Sequence, residues 1–426
     1  MLIWRPAARA GILGVADQVV LSVTNLIIGL LLARELDPIL FGIYVVAFAL
    51  LLIGSSVQLS IITDPLLILG PARPQDLQAS YGAALMRIQC TVSTGLAIIG
   101  GLGAGALWLA SAGTSQLAPA LAGLSLALPF IQAQSFLRAV LFTRFRPGSV
   151  FFTDAVLSAL RLVTLAALLF TESVTVFSVF VTYGLSALLS AAFSAYSCQE
   201  LLRVQPEPLA TVWHEHWKYG RWLLARSAAY WCSGQAPILL VSAVLSPLAA
   251  GVIKACTYLV TPLNVAFMGL EGLLVPRASI LKTEFGGQAL SRFLGRVAAG
   301  SCLAVCLYGA VTLPFSERLM SGLYREKYQG YSLIVAILLV DALLQALVRA
   351  PILRLKVYSD TRSVFLGYSF AAVAGFLALV SLAPTLGLVG AALAAPVSSA
   401  TLLFYLTTTR SGAAFSPDVP APAQEA

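Results

Sequence analysis

Twelve apolar runs of about 20 residues or more follow one another along this chain, separated by short polar turns. They lie at roughly 11–33, 39–62, 81–110, 116–141, 150–170, 174–198, 217–244, 248–275, 293–314, 329–351, 363–383 and 386–408. An α-helix needs a run of that length to cross about 30 Å of hydrocarbon at about 1.5 Å per residue. Few other folds are open to it, because within a bilayer every backbone polar group must find its partner inside the segment or in a closed barrel. Residue usage agrees. Of 426 residues 59% are hydrophobic and only 10% charged, too few charges to cover the surface of a soluble protein of this size. The expected fold is an all-α integral membrane protein of about 12 transmembrane helices in two six-helix lobes.

Arg5 and Arg9 precede the first run as they would in a signal peptide. That run is too long, however, and leads into the charged turn Ala33 to Pro38 without a small-residue cleavage site, so it reads as a permanent span. Lysines and arginines of the termini, the short loops and the span ends beside them divide eighteen to four between the two sides, the four being Arg34, Arg318, Arg325 and Lys327. The positive-inside rule then puts both termini in the cytoplasm. The net charge of +8 is this bias, with affinity for anionic membrane lipids, and calls for no nucleic-acid partner. The domain reading is a six-helix lobe over 1–198, a cytoplasmic linker over 199–216, a second six-helix lobe over 217–410 and a small, proline-rich, disordered tail over 411–426.

The two lobes share a turn. Leu36 to Leu50 and Leu245 to Leu259 lie 209 residues apart, and each carries a proline (Pro38, Pro247) followed four residues later by glycine (Gly42, Gly251). Both copies fall at the outer surface in equivalent places, as a duplicated transporter fold would have them. In that alignment Val45 stands opposite Lys254. The linker ends in Trp213 to Trp222, which alternates aromatic and basic residues and suits an interfacial segment.

No loop exceeds roughly 25 residues, so there is no room for a soluble catalytic domain, and the chain is read as a non-enzyme without cofactor. His214 and His216 at i, i+2 point apart on a helix and make a poor metal pair. Cys302 and Cys306 share a face with no His or carboxylate near, which reads as packing, so no metal site is expected. The glycines Gly95, Gly100, Gly101, Gly103 and Gly105 read as sites of close helix approach.

Charges inside the spans carry the functional reading, since each costs at least about 2.5–3.5 kcal/mol at mid-bilayer. Arg161, Lys254 and Asp341 lie deep, and a wet central cavity would account for them. Arg161 and Lys254 would bind an anionic substrate, with Asn25 adding polar lining. Asp341 and Asp17 are the candidates to couple a proton or Na⁺. Asp17, Arg87, Asp154 and Glu271 sit near enough to an interface to snorkel or pair there. Gln18, Gln58 and Gln132 either line the cavity or cross-link helices. Pro237 and Pro262 are hinge candidates.

The stretch Ala16 to Tyr44 resembles the first two spans of bacterial polysaccharide and O-antigen flippases, within the multidrug, oligosaccharidyl-lipid and polysaccharide exporter superfamily. The family's A-R-x-L-x-P-x-x-F-G-x-Y pattern is met by Ala33, Arg34, Leu36, Pro38, Phe41, Gly42 and Tyr44. Phe136 to Pro147, Leu245 to Cys256 and Gly387 to Ala394 are similar to the family's loop after span 4, its turn opening span 8 and its last span. The resemblance implies alternating access that moves a lipid-linked, anionic oligosaccharide or polysaccharide precursor outward across the bacterial inner membrane, alongside glycan polymerase or export machinery. The arginine cluster of peptidoglycan-precursor flippases has no match here. The alternative is a multidrug or organic-cation antiporter of the same superfamily, in which Asp17 and Asp341 would dominate.

Overall fold

In the computed structural model the described residues are 4–144, 146–234, 236–358 and 360–408; for some residues within helices only the backbone is described. The proposed tail over 411–426 and the side chain of Glu271 lie outside the described part. The described residues form helices and no strand. In chain order the helices are α1 (Trp4–Glu35), α2 (Pro38–Gln58), α3 (Asp64–Leu69), α4 (Gln75–Ala110), α5 (Leu117–Thr143), α6 (Pro147–Phe170), α7 (Val176–Ser197), α8 (Glu200–Arg203), α9 (Leu209–Gly234), α10 (Ala236–Val244), α11 (Pro247–Thr312), α12 (Ser316–Tyr324), α13 (Ser332–Val357) and α14 (Thr361–Thr408). Ten described segments are long and apolar enough to cross a membrane. Two helices are broken at glycines in a conformation that L side chains rarely adopt: α11 at Gly286 (φ 74°) and α14 at Gly387 (φ 58°). The break in α14 makes room for two crossings, and α9 with α10 occupies the seventh sequence run. The multi-pass, all-helical class expected from the sequence is the one observed.

The chain forms two compact units. The first contains the described residues up to Thr261 together with Arg318–Gln329. The second contains Pro262–Glu317 and the described residues from Gly330 onward. The boundary at 261/262 falls inside the unbroken part of α11, at the hinge candidate Pro262, whose ring leaves the carbonyl of Tyr258 without its helical donor. Pro237 lies in α10, within the first unit.

In the first unit the duplicated turn has a physical cause. Asp37 caps α2 by accepting from the Ile39 amide (2.9 Å), with Pro38 in its first turn. Ser246 does the same for α11 through the Ala249 amide (3.2 Å), with Pro247 at its start. The glycines bring the two copies together. A Cβ on Gly42 would overlap the Pro247 carbonyl oxygen, and one on Gly251 would meet Pro38 and Gly42 backbone at about 3.0 Å. Gly123 and Gly184 similarly admit the backbones of α7 and α5 to each other. The glycine-rich end of α4 behaves otherwise. Only Gly100 has a neighbour, the Ser125 hydroxyl, while Gly95, Gly101, Gly103 and Gly105 face open space. The expectation of close approach is therefore corrected for those four: that end of α4 is largely exposed and apolar, and no packing partner demands their smallness.

Residues 318–329 lie between helices of the second unit in sequence but belong to the first. Lys327 Nζ donates to three successive carbonyls at the end of α1, those of Arg34 (2.8 Å), Glu35 (3.1 Å) and Leu36 (2.9 Å). Arg325 bonds Glu35 (2.9 Å), and the buried Tyr324 hydroxyl donates to the Ala255 carbonyl (2.9 Å). In the second unit the two arms of α14 cross at Gly367 and Gly375, where a Cβ would meet Leu402 and Ser398 at 3.0 Å.

Candidate substrate site in the first unit

Four helices of the first unit converge on a string of aromatic and cationic side chains. Arg161, past the middle of α6, places its guanidinium 5.0 Å from the centre of the Tyr183 ring on α7. The Tyr183 hydroxyl lies 3.1 Å from that of Tyr44 on α2. Tyr44 and Phe41 are one helical turn apart and stack at 6.1 Å. Phe41 meets the ring of Tyr258 on α11 at 6.4 Å, and Lys254 Nζ stands 5.4 Å from the centre of that same ring. Tyr258 approaches α1 so closely that a Cβ on Gly29 would overlap its hydroxyl.

Phe41, Tyr44, Phe180 and Tyr183 are buried, while Arg161 and Lys254 each keep part of their surface open. Neither cation has a carboxylate within salt-bridge distance among the described residues, and Arg161 Nε has no hydrogen-bond partner there. A cation held in a span without a counter-ion is costly unless an anion or water comes to it. Arginine, lysine and tyrosine hydroxyls are the donors that suit phosphate oxygens and sugar hydroxyls.

The structure thus brings two of the residues expected from the sequence, Arg161 and Lys254, onto one aromatic string. Asn25 does not join it by a hydrogen bond; it is exposed on α1, one turn from Gly29 and on the same face. Sequence reasoning missed the three tyrosines. Lys254 and Tyr258 are spaced i, i+4, and Tyr44 closes the F-G-x-Y pattern, so a search for polar rings one turn from a deep charge would have found two of them.

Asp17 is placed elsewhere. It is buried on α1 and bonds Arg138 of α5, whose guanidinium also bonds Asp154 of α6. Gln134 adds a donor to Asp154 (3.1 Å). Asp17 Oδ1 has no partner among the described residues. Two carboxylates thus share one guanidinium. In the second unit Asp341 of α13, buried, accepts from Ser399 of α14 (2.6 Å) and from Gln345 (2.7 Å). Arg87 is exposed on α4. Gln58 and Gln132 cross-link helices: Gln58 donates to the Gln132 carbonyl (2.8 Å) and Gln132 to that of Gly54 (3.0 Å). Gln18 bonds Ser22, on its own helix (3.3 Å).

No group of three or more His, Cys, Asp or Glu side chains among the described residues is arranged to hold a metal ion. Both ring nitrogens of His216 are engaged, Nε2 with the Tyr81 hydroxyl and Nδ1 with the Ile61 carbonyl (3.0 Å).

No protein-family model matches the chain, and no curated protein matches it by sequence. Solved structures do match in fold. An inward-facing multidrug resistance MATE family transporter of the MOP superfamily superposes with a TM-score of 0.65 at 13% identity, over 93% of each chain. The lipid II flippase MurJ, in an inward closed conformation, gives 0.64 at 12% identity over 95% of this chain and 86% of that one. A eukaryotic MATE transporter gives 0.59 at 13% identity over 95% of each. These neighbours are transporters and a flippase, and at such identities the likeness is one of fold.

Proposed function

We propose that this protein moves a lipid-linked, anionic saccharide precursor outward across a bacterial inner membrane by alternating access. The observation that carries the reading is the pair Arg161 and Lys254, two deep cations without carboxylate partners among the described residues, joined by a string of aromatic rings. The anionic group docks on the partly open Arg161 and Lys254, and the buried rings of Tyr183, Tyr44 and Tyr258 hold the two cations in position for it. The lipid tail stays in hydrocarbon. The fold shared with both MATE transporters and a lipid II flippase supports transport as the class.

Asp341 serves as the coupling carboxylate, since it has two neutral donors and no cation within salt-bridge distance among the described residues. Asp17 serves it less well, because Arg138 already holds its charge. Pro262 is the hinge, supported by its place at the unit boundary inside α11, whereas Pro237 lies within the first unit and away from that boundary. Partners are the glycan polymerase or export machinery that consumes the product outside.

The test replaces both cations in cells. Arg161→Ala with Lys254→Ala should abolish glycan export at equal protein levels. Unchanged export would refute the site. Loss of cation efflux instead would favour the organic-cation antiporter, a reading to which the same fold also belongs.

A further inference from the structure

The second unit contains an open groove of about 440 Å³, distant in sequence from the aromatic string. Its floor is one face of α11, Gly287, Ser291 and Gly295 at i, i+4, i+8. Leu294 and Leu406 supply apolar wall, and Arg354 of α13 is the charged residue of the lining.

The small residues here face open space, as Gly95, Gly101, Gly103 and Gly105 of α4 do. A Cβ on Gly42 or Gly251 would strike backbone. One on Gly295 would meet nothing within 4 Å, and one on Gly287 only the Tyr358 hydroxyl at an ordinary 3.6 Å. The two glycines leave this face of α11 bare along the groove. The charge around the groove says what it can receive. Arg354 is exposed and has no salt-bridge partner among the described residues, and Lys282 stands over the ring of Tyr358, another residue of the groove (4.0 Å), while donating to the Val357 carbonyl (3.4 Å). Arg292, Arg296 and Lys356 are exposed on the same stretches of α11 and α13. This is also the side that the charge count assigns to the anionic cytoplasmic leaflet. The volume lies within the ordinary range for small-ligand sites.

We propose that this groove binds an anionic phospholipid of the surrounding membrane, its phosphate on Arg354 and an acyl chain along Gly287, Ser291 and Gly295. The occupant is a resident lipid and not the transported one, so the inference stands apart from the proposed function. Phosphate with a guanidinium supplies the polar contact, and the apolar wall with the bare helix face receives methylenes.

Native mass spectrometry of the purified full-length protein in detergent, with added phosphatidylglycerol or phosphatidylcholine, tests it. The wild type should retain phosphatidylglycerol over phosphatidylcholine. Arg354→Gln should weaken phosphatidylglycerol by roughly tenfold or more, the effect of losing a charge-assisted hydrogen bond, and erase the preference. Gly295→Leu, which the open space admits without a clash, should reduce retention of both lipids. Should Gly295→Leu fail to fold, Gly295→Val or Ser291→Leu blocks the same face. Equal retention of the two lipids by wild type, or retention unchanged in both variants, would overturn the proposal. A dimer that dissociates in Gly295→Leu would instead assign the groove to contact between copies, and would also overturn it. Transport failure in the Arg161 and Lys254 variants with lipid retention intact would leave this inference standing.

Discussion

Arg138 holds the charge of the first unit's interior in balance. It is the one guanidinium bonded to both Asp17 and Asp154, which are 1–3% exposed. Removing one partner of a buried ion cluster leaves uncompensated charge, which typically costs about 3–5 kcal/mol, whereas replacing the whole cluster by neutral groups of similar shape is often tolerated. Arg138→Ala should therefore lower the melting temperature sharply, and adding Asp17→Asn and Asp154→Asn should recover much of the loss. A triple variant as unstable as the single one would show that Arg138 acts by packing against Phe142 instead. The sequence showed that Asp17 and Asp154 needed company, since charges so placed must pair or reach an interface. It hid the partner, because Arg138 counts as a loop cation by position while its guanidinium turns inward to residues 121 and 16 positions away.

At the scale of elements, Pro65 sets a chain of consequences. A proline has no N–H and its ring displaces the carbonyl four residues back, here that of Ile61. The helix responds with a π turn over Leu59–Thr63 between α2 and α3. The freed Ile61 carbonyl is taken by His216 of α9, whose Gly220, one turn on, lies against Ser60 and Ile61 backbone. Around His216 stand Tyr81 of α4, Arg73, Glu207 of the linker and Glu215 of α9, with Arg73 bonding both glutamates and covering the Tyr81 ring at 3.9 Å. Burial holds the His216 imidazole below its usual 6.5, the Ile61 bond opposing that shift. A base depressed on folding binds more protons when unfolded, so its contribution to stability is full above about 6.5 and is lost as pH falls below it. Melting temperature should therefore drop between pH 7.5 and 5.5 in the wild type and drop less in His216→Gln; equal slopes would remove His216 from the account. Span positions were legible because apolar length is a one-dimensional property. The docking of α9 was not, since it follows from a proline more than 150 residues away in sequence.

At the scale of the whole molecule the duplicated turn joins structure to function. Its caps and prolines start α2 and α11, and its glycines pack the two copies together within the first unit. Lys254 marks where the copies differ, and the structure sets it over Tyr258 at one end of the aromatic string. The sequence placed that lysine and Arg161 deep in their spans. It could not place the tyrosines between them, because three helices bring those rings together and no short motif records it. The most direct measurement is flipping of a purified lipid-linked oligosaccharide in proteoliposomes that contain only this protein. The account expects wild type to expose the saccharide to an external probe, and Arg161→Ala with Lys254→Ala to lose at least about tenfold in rate, the equivalent of about 1.4 kcal/mol. Equal rates for wild type and the double variant, or no flipping by folded wild type, would contradict it.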